Sequence, residues 1–137
     1  MARKAQRASN AKRARKPPPM EPELWIPPPL DECDEVTVPI EPDLTNRLTM
    51  RIVRWNGQLV DYAIIHSTLA MSGEWAEIAC IDCCHSSVHR HSGRNNDKTP
   101  EIIREIHSQQ DVQDSFHDSY DEVYDGYLDY KERWGND

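Results

Sequence analysis

The Asn56-Gly57 dipeptide restricts the fold more than any other feature, because it separates two runs with strand-like patterns. Both central positions of a two-residue hairpin turn need positive φ, which Asn and Gly adopt readily. Before the turn, Leu48, Met50 and Ile52 share one face of LTMRIVRW. After it, QLVDYAIIHSTLAM is rich in β-branched and aromatic residues. The sequence therefore predicts an antiparallel β-hairpin.

A second turn, at Ser72 and Gly73, leads into EWAEIACIDCCH. Both faces of this run are largely apolar, which is typical of an inner strand rather than an edge strand. The hairpin and this run predict a three-stranded antiparallel meander, and VHRH leaves room for a short fourth strand. Cysteines in such a strand usually behave as small buried apolar residues.

The C-terminal part of the chain is predicted to form helices over the sheet. Thr99, Pro100 and Glu101 resemble a helix start, and a short helix would follow through Ile102, Ile103 and Ile106. A longer helix is predicted from Asp111 to Trp134. Its apolar side contains Val112, Phe116, Tyr120, Val123, Tyr127, Tyr130 and Trp134, and its acidic, solvent-facing side contains Asp114, Asp118, Asp121, Asp125 and Asp129. The fold class expected is α+β.

The N-terminal third differs in composition from the remainder. Residues 1–16 contain seven Lys and Arg and no acid, whereas residues 17–45 contain eight acids, no base and most of the prolines. Because proline lacks an amide donor and favours extended geometry, residues 17–45 are predicted to be an acidic linker. We therefore expect a disordered basic arm over 1–16, this linker over 17–45, and one small domain over 46–137.

The basic arm could neutralise phosphates without reading base sequence, which predicts contact with RNA or the ribosome. The alternative is a solvated tail, or one that folds back on the acidic linker. In the linker, the apolar LWIPPPL could anchor a partner, but we favour Trp25 packing on the protein's own sheet. No stretch resembles a membrane span or a secretory signal, so a cytoplasmic protein is expected.

The densest group of reactive side chains is CIDCCHSSVHRH, from Cys80 to His91. Zinc would require four tetrahedral ligands, and the side chains that could supply them are Cys80, Cys83, His85, His89 and His91. The spacing argues against this site, because Cys80 and Cys83 fall on opposite faces of a strand. No cofactor is therefore predicted.

The same cluster suits acid–base chemistry. One histidine could take a proton from a ribose 2′-hydroxyl while another returns a proton to the leaving oxygen. His85, His89 and His91 would provide the imidazoles, Arg90 or Arg94 would stabilise charge on phosphorus, and Asp82 would orient His85. These are the catalytic groups that a metal-independent ribonuclease requires. The alternative is that these histidines are merely exposed or bond to backbone carbonyls.

The pattern Trp75-x₂-Ile78-x₃-Asp82-x₂-His85-x₃-His89-x-His91 resembles that of small proteins from actinobacteria and their phages. It is more distantly similar to TumE-type toxins of toxin–antitoxin systems. This resemblance covers residues 46–134 and implies a compact α+β fold, RNA as the target class, and site roles for Asp82, His85, His89 and His91. The Cys83-Cys84 pair departs from the toxin-like pattern.

Two functional hypotheses follow from the sequence. The first is a toxin-like, RNA-directed enzyme, with an antitoxin and a second copy of the chain as candidate partners. The second is a non-catalytic accessory protein of a phage or mobile element, whose basic arm binds a host protein or nucleic acid.

Overall fold

The computed structural model describes residues 25–84, 86–92 and 100–136. It confirms an α+β fold, in which a six-stranded antiparallel sheet packs against one C-terminal helix. The elements are β1 (Asp34–Asp43), β2 (Asn46–Trp55), β3 (Gln58–Leu69), β4 (Trp75–Cys84), β5 (Ser87–Ser92), β6 (Glu101–Glu105) and α1 (Gln109–Asn136). Each strand pairs with the next one in sequence, so the sheet is a continuous meander.

The prediction of three or four strands was too low. β1 lies in the segment predicted to be a linker, and its residues pair with β2, for example Val38 with Met50. Pro39 and Pro42 obscured this strand in the sequence. An edge strand needs backbone donors on one side only, so it tolerates proline better than an inner strand does. The sheet therefore begins before Thr45, where the start of the domain was predicted.

The short helix predicted after Pro100 is also wrong, because residues Glu101–Glu105 form β6. This strand pairs with β5, with His89 opposite Ile102 and Val88 opposite Arg104. Ile102 and Ile103 are β-branched, and an adjacent strand with free hydrogen-bonding groups favours the extended form of so short a segment. The described chain consequently contains one α-helix rather than two.

The predicted turns are confirmed. Asn56 and Gly57 both have positive φ, at 51° and 78°, and join β2 to β3. Gly73 has a φ of 90°, in the turn between β3 and β4. These conformations fix where the strands reverse, and therefore which residues face each other across the sheet.

The core lies between the sheet and α1. Leu48 and Met50 from β2, Tyr62 and Ile64 from β3, and Ile81 from β4 are buried there. The apolar side of α1 packs on them as predicted, and its five aspartates from Asp114 to Asp129 are exposed. Trp25 also packs against this core, and its backbone N–H donates to the Ile106 carbonyl at 2.9 Å. The expectation that Trp25 packs on the protein's own sheet is confirmed.

A polar contact fixes the helix on the sheet. The buried Tyr62 hydroxyl lies 2.9 Å from the Ser115 hydroxyl and 3.3 Å from that of Ser119. These serines occupy the buried side of α1, where hydroxyl groups need partners. The helix therefore has a preferred position along β3.

His66 on β3 is completely buried under α1. Its Nε2 donates to the Asn46 side-chain oxygen at 2.9 Å, because the Asn46 amide donates in turn to Asp43. The Nδ1 atom is buried and has no hydrogen-bond partner among the described residues. Burial lowers the pKa of His66 to about 4, with a further lowering from Lys131 that Asp43 opposes. The ring is therefore neutral in the folded protein at neutral pH.

Several predictions fall on residues outside the described ranges: the basic arm over 1–16, the first part of the linker, His85 and Arg94. No helix in the described ranges is both long and apolar enough to cross a membrane.

Candidate functional site

The two faces of the sheet have different surroundings. α1 packs on the face that bears Tyr62, Ile64 and Ile81. The opposite face, here called the open face, is not covered by the α-helix of the described chain; the segment that includes the short 3-10 helix Leu30–Glu32 lies beside part of it. Because side chains alternate along a strand, Asp82 and Cys80 on β4 belong to the open face. Asp82 pairs with His89 and Cys80 with His91, which places both histidines there too.

Asp82, His89 and His91 form the centre of the candidate site. The Nε2 atom of His91 lies 3.6 Å from Oδ1 of Asp82. The ring centroids of His89 and His91 are 6.4 Å apart. Nε2 of His89 lies 3.4 Å from the Ser87 hydroxyl. All three side chains of the centre are partly exposed. A small substrate group could therefore approach both imidazoles from solvent.

Asp82 is the least satisfied polar group of this site. Its Oδ1 atom is buried and has no hydrogen-bond partner among the described residues. The side chain as a whole is 31% exposed, so its accessible surface belongs to the atoms other than Oδ1. A buried carboxylate oxygen without a partner is unfavourable, and small movement of His91 or a bound donor would satisfy it.

Arg90 does not join these residues, because alternation points its side chain to the helix-covered face. There its Nε and Nη2 atoms donate to the Glu122 carboxylate at 2.8 and 2.6 Å, and Nη1 donates to Glu101 at 2.7 Å. Tyr130 donates a further hydrogen bond to Glu122. Partial burial would raise the pKa of Glu122, but the bonds from Arg90 and Tyr130 lower it overall. The predicted role of Arg90 in stabilising charge on phosphorus is inconsistent with this position.

Arg51 is the arginine that the open face presents near Asp82. It pairs with Ala63 across β2 and β3, and Ala63 pairs with Asp82 across β3 and β4. Its guanidinium lies 3.4 Å from Glu35 and 3.3 Å from Asp61. Alternation along β2 directs Arg51 away from Leu48 and Met50, but sequence alone does not place it near Asp82.

Asp61 is a second acid in this region, beside Asp82. Nothing in the sequence indicated that it belongs to the site. Burial raises the pKa of Asp61, and the negative charge of Asp82 raises it further. Hydrogen bonds from Arg51 and from the Tyr62 backbone N–H oppose the increase. Asp61 and Asp82 therefore influence each other electrostatically, although they lie on different strands.

A pocket of about 240 Å³ lies beside these residues and is here called the open-face pocket. Arg51, Asp61 and Asp82 supply its polar groups, and Pro27, Pro28 and Leu30 form an apolar wall. Its remaining lining residues are Val60 and Cys83. The LWIPPPL segment is thus divided between two roles. Trp25 packs into the core, whereas the prolines and Leu30 form one wall of the pocket.

The two cysteines do not form a common site with the histidines: Cys80 lies opposite His91 on the open face, whereas Cys83 does not face the histidines. Cys80 and Cys83 are buried and lie on opposite faces, as expected, and Cys83 belongs to the core under α1. Burial, with the nearby charges of Asp82 and Glu77, raises the pKa of Cys80 to about 12. Within the described ranges, no group of three or more His, Cys, Asp or Glu side chains could hold a metal ion. His85, a member of the predicted ligand set, lies outside those ranges.

Comparison of the chain with protein-family models, curated proteins and solved structures finds no significant match.

Proposed function

We propose that this chain is a toxin-like, RNA-directed protein that cleaves RNA without a metal ion. The observation that carries the proposal is the placement of His89, His91 and Asp82 together on the open face. Two imidazoles with centroids 6.4 Å apart could contact both oxygens that exchange protons around one phosphodiester.

The reaction proposed for this site is an intramolecular transesterification at a phosphodiester of the RNA. One imidazole removes the proton of the 2′-hydroxyl, whose oxygen attacks phosphorus. The other imidazole protonates the 5′-oxygen as the P–O5′ bond breaks, which leaves a 2′,3′-cyclic phosphate and a free 5′-hydroxyl. Asp82 would hold the His91 ring in position, because an adjacent carboxylate fixes an imidazole's orientation.

Positive charge for the phosphate would come from two sources. Arg51 lies on the same face, although Glu35 and Asp61 already neutralise part of its charge. The arm over residues 1–16 supplies seven further cationic side chains that could hold the RNA backbone. Arg90 has no part in this scheme, since its guanidinium binds Glu122 and Glu101.

The test is cleavage of a mixed-sequence RNA by the purified full-length chain in buffer containing a metal chelator. His89→Gln and His91→Gln should each slow cleavage by about 100-fold or more, the usual contribution of one acid or base catalyst. His117→Gln is the matched control, because His117 is an exposed histidine on α1. Expression of the wild-type chain, but not of His89→Gln, should slow bacterial growth.

Three results would contradict the proposal: no cleavage by the wild-type chain, cleavage that the chelator abolishes, or equal loss in all three variants. A mass spectrum of the products adds a further check. Fragments that end in a 2′,3′-cyclic phosphate are expected, whereas fragments with a 5′-phosphate would indicate another mechanism.

A non-catalytic accessory protein is the second candidate, and the acidity of the open face favours it. Around the pocket, Glu35, Asp61 and Asp82 outnumber Arg51, so this part of the face attracts phosphate weakly. In this case the basic arm would bind a host protein or nucleic acid. Deletion of residues 1–16 should then abolish capture of that partner, while an unchanged capture would oppose this candidate. Deletion of 1–45 is unsuitable, because it removes β1 and Trp25.

A further inference from the structure

The open-face pocket has the size and lining of a site for a small planar group. At about 240 Å³, it is smaller than the roughly 300–1,000 Å³ of pockets for drug-sized ligands. Pro27, Pro28 and Leu30 provide an apolar wall, against which a flat ring could pack. In single-stranded RNA, the group of this kind that is free to enter a protein pocket is an unstacked base.

The register of the sheet places Arg51 and Asp82, two polar residues of the pocket, on strands that are separated by one other strand. Arg51 and Asp82 both pair with Ala63, so their backbones are two strand spacings apart, about 10 Å. The Ala63 side chain between them is a single methyl group. A planar ring in the pocket would therefore meet a guanidinium donor from one strand and a carboxylate acceptor from another.

Guanine matches this arrangement better than the other bases. Its N1–H and N2–H donors lie next to each other and suit carboxylate acceptors, which the pocket offers from Asp61 and Asp82, and the adjacent O6 atom accepts from an arginine such as Arg51. Adenine and cytosine offer one amino group beside an acceptor nitrogen, which would meet the carboxylate unfavourably. The Oδ1 atom of Asp82 is buried and faces His91, so a base would meet the accessible part of this side chain.

We propose that the open-face pocket binds a guanine base of the RNA and so directs cleavage to the phosphodiester on its 3′ side. This assignment rests on the proposed function, since His89 and His91 must act on the phosphate next to the bound base. The two sites adjoin through Asp82, which lines the pocket and lies 3.6 Å from His91. Asp82 thus has a specificity role in addition to positioning His91.

Calorimetry with nucleoside 3′-monophosphates tests base binding separately from cleavage. Guanosine 3′-monophosphate should bind about tenfold or more tightly than the adenosine form. Inosine 3′-monophosphate, which lacks the N2 amino group, should bind with intermediate affinity. Asp82→Asn should remove the preference for guanosine, and Arg51→Met should weaken guanosine binding by removing the donor to O6. His89→Gln should keep the preference, because His89 does not line the pocket.

The outcomes separate the two proposals. RNA cleavage without any base preference, together with equal binding of the three nucleotides, would overturn the guanine assignment and leave the ribonuclease proposal standing. Selective guanosine binding by a chain that cleaves no RNA would overturn the ribonuclease and retain the pocket as a guanine site. An Asp82→Asn variant that is folded, by circular dichroism, and still prefers guanosine would also refute the assignment.

Discussion

Acid should destabilise this fold through His66, and the structure gives the size of the effect. The ring is fully buried between β3 and α1 and lies near Tyr127 and Tyr130, with Lys131 and Asp43 as the charges that affect it. Its pKa is about 4 in the folded protein, against an ordinary value of 6.5. Protonation of the folded state would place a second positive charge near Lys131.

The direction of the effect follows from which state binds the proton first. As pH falls below 6.5, the unfolded chain takes up a proton at His66 while the folded chain does not, so the free energy of unfolding decreases. The contribution is complete above pH 6.5 and is lost progressively down to about pH 4. The full difference corresponds to about 3 kcal/mol, of which about 2 kcal/mol is lost by pH 5.

Urea unfolding at pH 7.5 and pH 5 measures this loss. For a slope of about 1–2 kcal/mol per molar urea, the wild-type midpoint should fall by about 1–2 M. His66→Gln, which can still donate to Asn46, should remove about 2 kcal/mol of the pH-dependent loss, whereas His117→Gln should behave as the wild type does. A loss in His66→Gln equal to that of the wild type would refute the reasoning. So would a His66 ring that titrates near pH 6.5 in a nuclear magnetic resonance experiment on the folded protein.

Two further predictions concern the attachment of the helix and of the N-terminal segment. Arg90→Met should lower the free energy of unfolding by about 1–3 kcal/mol, because it leaves Glu122 without its guanidinium partner; Arg54→Met, at an exposed position on β2, is the control in the same urea titration. Trp25→Ala should lower the free energy of unfolding by about 2 kcal/mol, since the indole is partly buried against the core. The control is Ile26→Ala, at a side chain that is 84% exposed, which should change this free energy by less than about 0.5 kcal/mol. Equal effects of Trp25→Ala and Ile26→Ala would show that the segment is not held by the indole.

The inner part of the fold could be predicted because its signals are local. Asn56 and Gly57 determine one turn through their backbone preferences, and the alternation on either side of them determines which face of each strand is buried. α1 was recognisable for the same reason, since its apolar residues recur every three or four positions. β1 and β6 were not recognisable, because both are edge strands whose conformation depends on a neighbour that is already in place.

The candidate site was predictable only within β4 and β5. His89 and His91 share a face by simple alternation, and Asp82 joins them because the chain reverses between two adjacent strands. Arg51 and Asp61 could not be assigned in the same way. Their position relative to Asp82 depends on the pairing of three strands, and β2 and β3 shift register between Val53 and Arg54. Such an irregularity leaves little trace in the sequence.

The composition of β1 has a consequence for behaviour at high concentration. Among the described strands, β1 pairs with β2 alone, and it contains two prolines together with Asp34, Glu35, Glu41 and Asp43. A further strand added at its outer side would meet missing amide donors and repelling carboxylates. Neighbouring molecules crowded in a cell therefore have little tendency to join sheets through β1 and grow into fibres from that edge.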